Sequence, residues 1–123
     1  MPLNLDRIRR HALSLEAVTE APHHDYGSFR VRGRIFVTWP PDGQHLHAFV
    51  AEDDRERALA LHPEAVEKLL WGGKVVGVRI RLRAASADLV RWLVDAAYAA
   101  RVAKDAGPPK RRRPADGKAG AAG

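Results

Sequence analysis

The chain has 123 residues, enough for one domain around one core, and its composition is that of an ordinary globular protein. It has no cysteine, which excludes disulfides and thiolate chemistry and fits a reducing compartment. The formal charge is +6, but the six Lys/Arg and two acids after Val102 supply +4 of it, so the remaining fifteen bases and thirteen acids nearly balance.

Met1-Pro2-Leu3-Asn4-Leu5-Asp6 sets polar and acidic residues where a secretory leader needs an apolar core. No apolar run approaches the ~20 residues of a membrane span. A cytoplasmic protein with no membrane partner is the expectation. Asp6 is placed to cap a first helix over residues 7–15, with Leu5, Ile8, Ala12 and Leu15 on one stripe and Arg7, Arg9 and Arg10 toward water. Residues 18–21 form a short candidate strand that Pro22 stops, and His23-His24-Asp25-Tyr26-Gly27 has the composition of a loop. Residues 28–31 and 35–39 are strands flanking Arg32-Gly33-Arg34, a hairpin with glycine at the turn. Its register stays open. A two-residue loop sets Phe29 opposite Phe36, whereas a three-residue loop with Gly33 left-handed sets Val31 opposite Ile35. In both, Arg30 and Arg32 share the face opposite Phe29 and Val31.

Pro40-Pro41-Asp42-Gly43 is a turn, because proline fixes φ and glycine permits a positive one. Residues 45–50 form the next strand. Glu52, Asp53 and Asp54 then open a helix that Pro63 ends near His62. Residues 64–70 suit a helical turn or a strand and are read as a connector. The strictest pattern runs from Trp71 to Arg83. Val76, Val78, Ile80 and Leu82 point one way, and Val75, Gly77, Arg79, Arg81 and Arg83 the other. A slip of one residue would bury the arginines, so the register is strongly specified. Ser86 caps a last helix in which Leu89, Leu93, Ala96, Ala97 and Ala100 recur at helical spacing to about Val102. The pattern stops there, and residues 103–123 are expected to form a disordered basic tail beyond a single domain of residues 1–102.

Strands joined by tight turns are antiparallel. The expected fold is therefore α+β: an antiparallel sheet with helices packed on one face, a two-layer sandwich whose other face is at least partly wet and carries the arginines.

Ser28-Phe29-Arg30-Val31-Arg32-Gly33-Arg34-Ile35-Phe36, then Trp71-Gly72 leading into an alternating strand, then a helix ending Ala97-Tyr98, resemble the MmcQ/YjbR family of small bacterial proteins over roughly residues 5–102. The resemblance implies a fold like that of CyaY and frataxin. It also implies DNA binding by a double-wing mode in which sheet hairpins meet the duplex. The residues it carries over are Arg30, Arg32 and Arg34 in the first block and Lys74 after the Trp71-Gly72 pair. Arg79, Arg81 and Arg83 come from the alternation instead. Frataxin-type iron binding is not expected, since the first helix carries arginines where acids would be needed.

Arginine can fork onto phosphate or a guanine edge, and counterion release drives much of the affinity for a duplex. Arg30, Arg32, Arg34, Lys74, Arg79, Arg81 and Arg83 would then form a contact stripe, and the run Lys110, Arg111, Arg112 and Arg113 would add affinity without specificity. The plain alternative is a solvated face that keeps the sheet soluble. His23, His24, His45 and His47 are weaker candidates for a metal site, for want of a fixed ligand spacing. Trp39, Trp71 and Trp92 suit base stacking or a core. No nucleophile elbow or phosphate-binding glycine motif occurs, and Gly72-Gly73-Lys74 lacks the spacing of a P-loop. The expectation is a non-enzymatic protein with no cofactor whose partner is nucleic acid, double-stranded DNA above RNA, with a monomer as the default state. A protein- or ligand-binding module with an open sheet face is the alternative.

Overall fold

The computed structural model describes residues 5–106 and contains one six-stranded sheet with three α-helices. In chain order the elements are α1 (Leu5–Leu13), β1 (Val18–His23), β2 (Tyr26–Val31), β3 (Arg34–Trp39), β4 (His45–Ala48), α2 (Glu52–Leu61), β5 (Val66–Trp71), β6 (Lys74–Arg81), a short 3-10 helix (Leu82–Ala84) and α3 (Ala87–Ala106). The strand order is β1-β2-β3-β4-β6-β5, and all neighbouring strands are antiparallel. The fold is α+β, as the tight turns require.

The core lies against one face of the sheet. Phe29, Val31, Val37, Leu46, Ala48, Val66, Val78 and Ile80 pack there with Leu89, Val90, Leu93, Val94 and Ala97 of α3 and Ile8 and Ala12 of α1. Ala58 of α2 joins them. The Ser86 hydroxyl accepts the Leu89 N–H at 3.0 Å and caps α3. That helix runs to Ala106, four residues past the point where the apolar pattern fades. Residues 107–123, and with them Lys110, Arg111, Arg112 and Arg113, lie outside the described residues.

Several elements differ from the sequence reading. Asp6 lies within the first turn of α1 and accepts from Arg9 at 2.7 Å instead of capping the helix. Pro22 is inside β1, opposite Gly27, because β1 is an edge strand and needs no ladder bond on its outer side. The β1–β2 connection shrinks to His24 and Asp25, with His24 at a φ of 58°. Residues 66–71 are a strand. Val66 faces the core while Leu69, buried three residues on, pairs with Gly77 on the opposite face, and this spacing imitates a helical turn.

The β2–β3 hairpin has a two-residue loop, Arg32-Gly33, with Val31 opposite Arg34. Phe29 nevertheless faces Val37 and not Phe36, because a bulge between Phe29 and Arg30 shifts the register. β6 ends at Arg81. Leu82 and Arg83 turn into the 3-10 helix, so Arg83 is not a third arginine on the cationic face of the strand.

Candidate nucleic-acid interface

The register brings the polar residues of five strands into one row on the face away from α3. Ser28 pairs with Thr38, Thr38 with His47, His47 with Arg79, and Arg79 with Glu67. Arg30 lies on the same face of β2, and Arg81 on the same face of β6 opposite His45. The arginines of two separate segments therefore share a face, as their alternation requires.

They are not free on it. Arg81 donates to Glu67 Oε1 at 2.7 Å, to the Glu64 carbonyl at 2.8 Å and to the Pro63 carbonyl at 3.3 Å. Arg79 lies 3.9 Å from the other oxygen of Glu67. Arg30 donates to Ser28 Oγ at 3.2 Å and to the Pro22 carbonyl at 3.1 Å. A platform of arginines open to a polyanion does not exist here: one carboxylate sits between two of them, and backbone carbonyls hold the tips of two.

His47 is 5% exposed, with Thr38 Oγ1 3.4 Å from its Nδ1. Burial, and then the neighbouring Arg79 charge, push its imidazole down to about 4, so it is neutral at pH 7. His45 meets Asp42 at 2.9 Å. The Gln44 N–H and the His45 ring hold that carboxylate below its ordinary range. The rings of His23 and His24 are 4.9 Å apart at the β1–β2 turn. Among the described residues no three potential metal-binding side chains converge, so the four histidines do not assemble into a site.

The other cations stand at one end of the sheet. β4 runs antiparallel to both β3 and β6, so the β2–β3 and β5–β6 turns both lie where β4 ends. The turns are built alike: Arg32 and Gly33 have φ of 51° and 81°, Gly72 and Gly73 of 58° and 81°. Positive φ at both loop positions matches the right-handed twist of the strands. Arg32, Arg34 and Lys74 are exposed and make no ion pair among the described residues. Arg83, also exposed, stands at the opposite end of β6 beside Gln44 and His45.

Two residues of this region escape a sequence reading. Glu67 fell in the connector, although reading that segment as a strand would have set it beside Arg79. Lys104 fell in the tail but belongs to α3, where it lines a cavity together with Trp71 at the hairpin end. Trp39 is buried against Phe29, and Trp71 is 47% exposed.

Comparisons with curated proteins and with solved structures find no match. A family model described as YjbR matches residues 13–100, which spans every strand and most of α3. The chain belongs to the YjbR family.

Proposed function

We propose that the protein binds nucleic acid, DNA foremost, through the hairpin end of its sheet, by phosphate contacts with little sequence selectivity and without an enzymatic reaction. The observation that carries this reading is the presence of two similar hairpins at one end that hold Arg32, Arg34 and Lys74 clear of any carboxylate partner among the described residues. The turns are three strand spacings apart, about 14 Å, on the scale of the ~12 Å major groove. Arg32 adds support. Its backbone is left-handed, where asparagine or glycine would be less strained, and a strained arginine at a turn fits a selected charge better than a selected turn. The tail residues Lys110–Arg113 would add non-specific attraction. The engaged Arg30, Arg79 and Arg81 take a structural part in this reading.

The test is a duplex titration at several salt concentrations. Each phosphate contact contributes about 0.9 to the slope of log affinity against log salt, so replacing Arg32, Arg34 and Lys74 together by alanine should flatten it by up to about 2.7. Alanine at Lys110–Arg113 should flatten it separately. An unchanged slope in the hairpin variant would remove the folded domain from the interface.

A further inference from the structure

At the hairpin end lies a cavity of about 570 Å³. Ile35, Phe49, Val50, Trp71, Val76 and Ala100 form its apolar lining, and His23, Arg101 and Lys104 supply the polar part. The Trp71 ring meets Phe49 at 5.1 Å with planes tilted by 64°, a contact that fixes one side of the indole and leaves the residue 47% exposed. Leu70 beside it is 59% exposed. A phosphate backbone has no use for such a cavity, and a perfect duplex keeps its bases stacked inside. An apolar hollow with a half-free indole, on the end of the sheet that also presents Arg32, Arg34 and Lys74, matches a ligand that is anionic outside and flat and apolar within.

We propose that this cavity takes an unpaired nucleobase, stacked on Trp71, and that strands with accessible bases are bound in preference to a perfect duplex. The proposal rests on the nucleic-acid reading and names the form of nucleic acid that the hairpin end takes. Glu52, Asp53 and Asp54 follow the lining residue Ala51 directly, and their charges oppose an anion at this end. The base, not the phosphate, must therefore supply the preference.

The experiment compares labelled oligonucleotides of one length at one salt concentration: a single strand, the same strand with abasic sites, and the duplex. The proteins are the full chain, Trp71→Ala and Trp71→Phe, with thermal unfolding to show that each variant is folded. Stacking on one aromatic side chain is worth about a tenfold gain or more. The single strand should exceed its abasic counterpart by about that factor, Trp71→Ala should erase the difference, and Trp71→Phe should keep most of it. Equal affinity for the base-bearing and abasic strands, or an unaffected Trp71→Ala, would overturn the base pocket while leaving phosphate binding intact. Binding to none of the three would overturn both readings.

Discussion

Arg79 and Arg81 on β6, and Arg32, Arg34 and Lys74 at the hairpin ends, carry the same charge on the same sheet, yet the structure uses them oppositely. Arg81 is held by Glu67 and by the carbonyls of Pro63 and Glu64, and Arg79 lies 3.9 Å from the same Glu67 carboxylate. The hairpin group has no such partners among the described residues. The first set fastens the edge strand β5 to the sheet; the second is available to something outside it. Alternation along one strand tells which side a cation faces. What the neighbouring strand presents to it decides whether the charge is spoken for.

The largest effects should come from testing how tightly the paired region is built. A Cβ at Gly77 would stand 2.2 Å from the Ala48 carbonyl oxygen and 2.9 Å from the Phe49 Cα, both backbone atoms that cannot swing away. Gly77→Ala should therefore prise β4 from β6 and cost about 4 kcal/mol or more, read as a lowered denaturation midpoint. At the hairpin end the space around Gly73 is open, and only its φ of 81° resists a side chain. Gly73→Ala should cost about 1–2 kcal/mol. Similar losses from the two would show that the face is no more tightly packed than the turn.

Next in size is the acid limit of the same face. The folded-state value of His47 lies below its unfolded value of 6.5, at about 4, because burial and Arg79 oppose its charge. A depressed histidine favours folding when neutral. Its contribution is complete above pH 6.5 and is lost as pH falls through that value toward 4, by about 3 kcal/mol at most. Unfolding followed from pH 7 to pH 4 should show this loss, and the His47 ring should titrate near 4 by NMR. A His47 ring that titrates near 6.5 would mean that water reaches it and that the row of polar residues is looser than its geometry.

The sequence revealed the two-sided character of β6, the Ser86 cap, the turns and the last helix, because each depends on neighbours within a few positions. It concealed β5, since Val66 and Leu69 are buried on opposite faces and their spacing mimics a helix. Losing β5 concealed Glu67, and losing Glu67 made Arg79 and Arg81 look free. The Phe29 register was hidden for a related reason: a bulge leaves no mark in a run as uniform as Ile35-Phe36-Val37. Arg32, Arg34 and Lys74 came from the family resemblance, and their exposure at the turns is visible only in the fold.

Arg32 allows stability and binding to be pulled apart. Asparagine tolerates a left-handed backbone better than arginine does, so Arg32→Asn should leave stability equal or slightly raised while removing one phosphate contact, about 0.9 of the salt slope. A variant that loses both stability and affinity would make Arg32 a structural residue like Arg81.

Glu67→Gln is expected to do least and discriminates most finely. The amide keeps the shape of the carboxylate and can still accept from Arg81, but it no longer neutralises two guanidinium groups. Both Arg81 and Glu67 are partly exposed, with side chains 40% and 47% accessible, so solvent already screens the pair and the loss of stability should stay below about 1 kcal/mol. Duplex affinity should rise only slightly, because the Arg81 guanidinium remains fixed on the carbonyls of Pro63 and Glu64 and does not swing out to meet phosphate. A rise of tenfold or more would mean that a single carboxylate was all that kept the sheet face from acting as a second docking surface. The contrast between face and hairpin would then be a matter of one charge and not of architecture.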